Sequence, residues 1–195
     1  MVKVTYLILP SDILARFRRR EISPSEAGVC SAIYTGMVFY SKGDRQGYRD
    51  IRDIAHITGM KVSTANSALY YLKERRLLVD KGNSALYRWR FTFDPKKADV
   101  LCGNIHLHIP VKLARLDADW IYKLCVGVIW HYQRQYTNKK CYATNKTIGT
   151  MIGRSPRTIS RLVQKLVKRR WVTMFVIKDG INYENYTRYM YVIGA

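Results

Sequence analysis

The sequence predicts a mainly helical α+β fold built from two similar domains in tandem. Three observations predict it: a repeat at a constant displacement of 94 residues, two helices joined at a glycine in each copy, and a two-stranded hairpin after each helix pair. The chain has 195 residues, which suits two domains of about 100 residues each. We place the first domain at residues 1–97 and the second at residues 98–195.

The repeat aligns without a gap over residues 54–76 and 148–170. Its matching positions are Ile54 with Ile148, Gly59 with Gly153, Thr64 with Thr158, Leu72 with Leu166, and Arg75–Arg76 with Arg169–Arg170. A series of matches in one register indicates one supersecondary unit used twice.

In the first copy, residues 54–58 have the spacing of a short amphipathic helix that ends at Gly59, because glycine adopts the left-handed backbone conformation most easily. We expect Ser63 or Thr64 to cap the next helix through its side-chain oxygen. The buried stripe of that helix has apolar residues at i, i+3, i+4 and i+7, namely Ala65, Ala68, Leu69 and Leu72.

The second copy repeats this pattern with clearer signals. Gly153 ends the first helix, Ser155 caps the second, and Pro156 occupies its first position, where a missing N–H costs nothing. The corresponding buried stripe is Ile159, Leu162, Val163 and Leu166. Helix, glycine turn, small-residue cap and helix is the arrangement of a helix-turn-helix.

Alternating apolar and polar residues follow each helix pair. Strands are predicted at residues 77–79 and 86–93, and again at residues 171–177 and 186–193, around turns near Lys81–Ser84 and Lys178–Gly180. An apolar helix precedes each pair, at residues 25–40 and 117–133, and residues 94–104 have the composition of a linker. Each copy is therefore predicted to be a winged helix-turn-helix domain, with a three-helix core and a β-hairpin wing.

The charge of the chain predicts a polyanionic partner. Lys and Arg number 34 against 14 Asp and Glu, which gives a net charge of +20. Between Asp119 and Asp179 there is no acidic residue but there are 13 Lys or Arg. Soluble surfaces normally mix both signs, so a stretch without carboxylates is typical of a nucleic-acid-binding protein.

Other classes of protein are disfavoured. No apolar stretch has the length of a membrane span, and the first residues do not resemble a signal peptide. The cysteines, Cys30, Cys102, Cys125 and Cys141, show no metal-type spacing and fit a reducing compartment, so we expect a cytoplasmic protein.

Residues 141–172 resemble a winged-helix type found in phage and plasmid replication proteins. Tyr6–Pro10 and Ile105–Pro110 resemble the short strand that precedes the first helix of that type. The resemblance, with two winged helices in one chain, implies a sequence-specific double-stranded DNA-binding protein that initiates replication at the origin of a plasmid, phage or other mobile element. A homodimer and contacts with the replication machinery stay open.

Two alternatives accompany this hypothesis. A transcription regulator of a mobile element would use the same tandem module. A metal-dependent DNA-nicking enzyme is suggested by His106-Leu107-His108, but this string lacks a following catalytic helix with Tyr-x-x-x-Lys in its own region, and it falls where the repeat places a structural strand. We therefore expect no enzyme, no catalytic residue, no metal site and no cofactor.

The second helix of a helix-turn-helix lies in the major groove, so its outward residues are the DNA-binding candidates. In the second copy these candidates, with two at the start of the preceding helix, are Lys146, Thr147, Arg154, Arg157, Thr158, Ser160, Arg161 and Gln164. Arg157 or Arg161 suits a bidentate contact with guanine, and Gln164 suits adenine or a phosphate.

The first copy and the wings supply further DNA-binding candidates. In the first copy they are Lys61, Ser63, Thr64, Asn66, Ser67 and Tyr70. Asn66 is the best base reader among them, and the hydroxyl groups suit phosphates. In the wings the candidates are Lys81, Asn83, Arg88, Lys178 and Arg188.

Overall fold

The computed structural model describes residues 5–40, 50–80, 89–92, 105–135, 141–177 and 188–193. The chain divides into two compact units, residues 1–123 and residues 124–195. Both are mainly helical with small two-stranded antiparallel sheets, which confirms the predicted α+β, mainly α class. The predicted linker and the domain boundary between residues 97 and 98 lie outside the described residues, so they stay predictions.

The first unit contains four strands and five complete helices within its described part. Its elements are β1 (Tyr6–Leu9), α1 (Ser11–Arg18), α2 (Pro24–Tyr40), α3 (Ile51–Thr58), α4 (Val62–Glu74), β2 (Leu78–Asp80), β3 (Trp89–Phe91), β4 (Leu107–Pro110) and α5 (Val111–Ala114), followed by the first turn of α6 (Trp120–Gln133). Helices α2, α3 and α4 pack against one another.

The second unit contains the remainder of α6 and the second helix pair. Its other elements are α7 (Asn145–Ile152), α8 (Pro156–Lys168), β5 (Val172–Ile177) and β6 (Arg188–Ile193). Helix α7 packs on α8, and α8 packs on β5. Among the residues with a described structure, no helix has both the length and the apolar character needed to cross a membrane.

The two hairpins lie where they are predicted, although β2 ends at Asp80, one residue beyond its predicted range of 77–79. Strand β2 pairs with β3 so that Leu78 faces Phe91, and β5 pairs with β6 so that Val172 faces Ile193, both antiparallel. The predicted turns, at residues 81–84 and 178–180, fall in parts of the chain outside the description.

Strands β1 and β4 form a sheet that the sequence did not predict. The sequence suggests that each strand begins its own repeat, but the two pair with each other, antiparallel, with Leu7 opposite Ile109 and Leu9 opposite Leu107. All four of these side chains are fully buried. The pairing satisfies backbone groups that a lone strand would leave open.

The repeat is visible in the backbone as well as in the residue types. Gly59 and Gly153 have φ values of 60° and 63°, and Arg76 and Arg170 have φ values of 54° and 58°. Both pairs are separated by the 94 residues of the sequence repeat. Residues other than glycine rarely adopt a left-handed backbone. Its presence at the equivalent arginines Arg76 and Arg170 therefore shows that both copies end their second helix in the same way.

A buried lysine holds the end of α3 in the first unit. The Nζ of Lys123 donates hydrogen bonds to the carbonyl oxygens of Thr58 at 2.6 Å and Ala114 at 2.7 Å, and its side chain is fully buried. The indole Nε1 of Trp120 also donates to Thr58 O, at 3.1 Å. In the sequence, Lys123 is counted among the 13 cations of the acid-free stretch that were expected to attract a polyanion. The structure corrects this expectation, because Lys123 is buried.

Candidate nucleic-acid interface

The second helix pair, α7 and α8, is built by local capping interactions. Thr144 caps α7, since its Oγ1 accepts a hydrogen bond from the Thr147 N–H at 3.1 Å. Gly153 ends α7 in the left-handed conformation, and Ser155 caps α8 by accepting from the Thr158 N–H at 3.2 Å. The predicted roles of Gly153 and Ser155, and of Pro156 at the start of α8, are confirmed.

Helix α7 approaches the turn so closely that a side chain at Gly149 has no space. A Cβ atom built there overlaps the carbonyl oxygen of Arg154, the backbone group two residues before α8. The equivalent position in the first unit is Ala55.

We expect Gly149→Ala to lower the free energy of unfolding by about 1–3 kcal/mol, because a backbone carbonyl cannot turn aside as a flexible side chain can. Urea unfolding followed by circular dichroism measures the change. Thr150→Ala, at an exposed position of the same helix, is the control and should change stability by less than about 0.5 kcal/mol. Without the steric overlap, alanine would stabilise the helix, because alanine favours a helix more than glycine does. An unchanged or higher unfolding midpoint for Gly149→Ala would therefore contradict the close approach.

Helix α8 separates an apolar face from a cationic one. The predicted stripe is buried, from Ile159 to Leu166. On the opposite face Arg157, Arg161 and Gln164 are exposed. At 100° per residue, these three side chains lie within an arc of roughly 60° on the helix surface.

Two further cations on this face were missed by the sequence analysis. Lys165 and Lys168 are both exposed. They extend the arc to roughly 100° and the row of charge to about 16 Å along the helix. The signal was present in the sequence, because Lys165 follows Arg161 by four residues and Lys168 follows it by seven, but the predicted DNA-binding face ended at Gln164.

The remaining candidates of the second unit have less exposed positions, apart from Lys146, which is exposed at the start of α7. Thr147, Arg154, Thr158 and Ser160 are half-buried. The hydroxyl of Thr158 lies 2.9 Å from Ser155 Oγ, so it belongs to the helix cap. Lys178 lies outside the described residues, and Arg188 begins β6 without a described side chain.

The first unit pairs several of its cations with carboxylates. These ion pairs join Arg16 to Asp12 at 2.7 Å, Arg19 to Glu21 at 2.6 Å, and Arg75 to Glu26 at 3.3 Å. From residue 120 to residue 178 the sequence has no carboxylate side chain that could do the same. The cations of α8 therefore create a positive field that no neighbouring acidic residue of their own segment reduces.

The start of α4 differs from its prediction. Helix α4 begins at Val62, and Lys61 occupies the cap position without a side-chain hydrogen bond. The expectation that Ser63 or Thr64 caps this helix is wrong, because the helix starts before them and includes both in its first turn. The signal that Ser155 gives in the second copy is absent here, since its equivalent is Lys61.

The predicted candidates of α4 and its cap are all exposed. They are Lys61, Ser63, Thr64, Asn66, Ser67 and Tyr70. The wing candidates Lys81, Asn83 and Arg88 belong to the parts of the chain that are not described.

The histidines that suggested metal or nicking chemistry have structural contacts. His106 Nδ1 accepts a hydrogen bond from the Ser11 N–H at 3.3 Å, and the ring of His108 lies edge-on to Tyr6 with 6.1 Å between centroids. Within the described ranges, His, Cys, Asp and Glu side chains form no group of three or more that could hold a metal ion.

Comparison of the chain with protein-family models, with curated proteins and with solved structures gives no significant match.

Proposed function

We propose that this chain is a sequence-specific double-stranded DNA-binding protein built from two winged helix-turn-helix domains, with α8 as its main reading helix. The observation that carries the proposal is the row of exposed cations on α8, formed by Arg157, Arg161, Lys165 and Lys168, opposite a fully apolar stripe. A helix that neutralises phosphates with one face and packs on its own domain with the other is suited to the major groove.

The exposed side chains of α8 divide by chemistry. Arginine presents a planar fork that matches the O6 and N7 atoms of guanine, so Arg157 and Arg161 are the proposed base readers. Lysine is a point charge on a flexible stem, so Lys165 and Lys168 are assigned to phosphates. Lys146, at the start of α7, is assigned to a phosphate on the same grounds.

We further propose that the bound DNA is the replication origin of a mobile element. The support is the resemblance of residues 141–172 to winged helices of plasmid and phage replication proteins. Selection of bound duplexes from a random pool gives the target sequence, and the genome carrying this chain is then searched for it. Clustered sites at an origin whose replication requires the protein support the role, whereas promoter sites with altered transcript levels would overturn it.

The salt dependence of duplex binding tests the electrostatic part of this proposal. We expect the logarithm of affinity to fall against the logarithm of salt concentration with a slope of about −6 to −9, since roughly 7 to 10 phosphates are neutralised. Fluorescence anisotropy over a salt series measures it. The Lys165→Ala/Lys168→Ala variant should reduce the magnitude of the slope by about 2, and an unchanged slope would show that α8 does not follow the DNA backbone with these lysines.

A further inference from the structure

The outward face of α4 lacks the charges that characterise α8. At the 94-residue displacement, the positions of Arg157, Arg161, Lys165 and Lys168 are occupied in α4 by Ser63, Ser67, Tyr71 and Glu74. These four side chains are exposed, like their equivalents in α8. The two helices share one backbone pattern, so the difference in charge between their outward faces comes from side chains alone and indicates a different ligand for α4.

The most unusual feature of this face is a pair of adjacent exposed tyrosines. Tyr70 is 59% exposed and Tyr71 is 53% exposed. Their rings meet edge to face, with 5.7 Å between centroids and 73° between planes. The buried stripe of α4 runs along its other side, from Ala65 to Leu72, so the tyrosines are not needed to complete the core.

The charge around the tyrosines is positive. Residues 61–76 contain four Lys or Arg and one Glu, and because Arg75 is paired with Glu26, the local positive charge comes from Lys61, Lys73 and Arg76. Lys61 and Lys73 are exposed on either side of the pair along the chain, and Arg76 is exposed just beyond the helix. A chain with a net charge of +20 repels a second copy of itself, so aromatic rings in this setting fit a polyanion better than a subunit interface.

We propose that the outward face of α4 binds single-stranded nucleic acid by stacking bases on Tyr70 and Tyr71. In a duplex the base faces are covered by neighbouring base pairs, whereas in a single strand they are free to stack on aromatic side chains. The phosphates lie near Lys61 and Lys73, and the stacking tolerates any base. The residues of this site belong to the first unit, whereas the proposed duplex-reading residues of α8 belong to the second unit.

The test uses the full chain and fluorescence anisotropy of a labelled oligo-dT and a labelled oligo-rU, each about 16 nucleotides long. Tyr70→Ala/Tyr71→Ala should weaken binding of the single strands by at least about tenfold. The control Tyr70→Phe/Tyr71→Phe keeps both rings and should bind within about twofold of the parent chain, because stacking needs the ring and not the hydroxyl. Binding of either oligonucleotide supports the site, and the tighter of the two identifies DNA or RNA as its ligand.

A second pair of measurements separates this site from α8. Arg157→Ala/Arg161→Ala should weaken binding to a selected duplex and spare the single strands. Tyr70→Ala/Tyr71→Ala should lower the affinity for single strands by a larger factor than the affinity for the duplex, which Tyr70 is itself a candidate to contact. Single strands that do not bind, or that bind the alanine variant as tightly as the parent, overturn the proposal. Sedimentation measures self-association of the same variant. If Tyr70→Ala/Tyr71→Ala abolishes self-association of the chain but keeps its affinity for oligonucleotides, the face is a subunit interface and the proposal is overturned.

Discussion

Replacing Arg157 and Arg161 together by alanine is expected to weaken binding to the selected duplex by about 2–6 kcal/mol, which is at least roughly thirtyfold. Both side chains are exposed on the face of α8 opposite its buried stripe, so their removal takes away the proposed DNA contacts without opening the core. Each arginine that makes a bidentate contact with guanine accounts for about 1–3 kcal/mol of this loss.

The lysines of the same helix provide the matched control for these arginines. The Lys165→Ala/Lys168→Ala variant loses the same number of charges from the same face, but it should weaken all duplexes evenly. The arginine variant should instead lose its preference for the selected sequence over a scrambled one. If both variants lose affinity equally on both duplexes, the arginines contact phosphates and the assignment of base readers on α8 is wrong.

The second large effect is expected at the buried Lys123. Burial lowers the pKa of its ammonium group from 10.5 to about 8, while Asp117 and Asp119 act in the opposite direction. The unfolded chain therefore holds this proton more tightly than the folded chain does, between about pH 8 and pH 10.5. The contribution of Lys123 to the free energy of unfolding should rise across that window by about 3 kcal/mol.

Lys123→Met isolates this contribution. The variant keeps a similar volume but leaves the carbonyl oxygen of Ala114 without its Lys123 donor, so we expect it to lose about 1–3 kcal/mol of stability at pH 9. Denaturant unfolding of the parent chain and the variant at several pH values gives the difference between their free energies of unfolding. Effects of other titrating groups are common to both proteins and cancel in this difference. A difference that does not grow with pH would show that Lys123 is protonated equally in the folded and unfolded chains.

The helix pairs could be predicted from the sequence because their determinants are local. Gly153, Ser155 and Pro156 act on backbone groups within a few residues of themselves, and each does in the structure what its chemistry predicts. The start of α4 could not be placed in this way, since Lys61 gives no capping signal and the serine and threonine after it lie inside the helix. Lys165 and Lys168 needed only a longer reading of the same helical face.

The residue patterns of the sequence did not predict which distant segments contact each other. Strand β1 reads Tyr-Leu-Ile-Leu and β4 reads Leu-His-Ile-Pro, and such residues are typical of a short strand without naming its partner. Glu26 illustrates the same limit. Its carboxylate accepts from the Ser23 N–H at 2.6 Å, as a local capping box predicts, yet it also pairs with Arg75 from the end of α4.

By itself, the sequence determined the duplicated helix pair, the hairpin after each copy and the exposed arginines of α8, because spacing, caps and charge are properties of neighbouring residues. Only the tertiary structure decided that Lys123 is buried on the carbonyl oxygens of Thr58 and Ala114 and that β1 pairs with β4. Charge in a sequence reports a residue type, whereas burial depends on which distant segments fold over it.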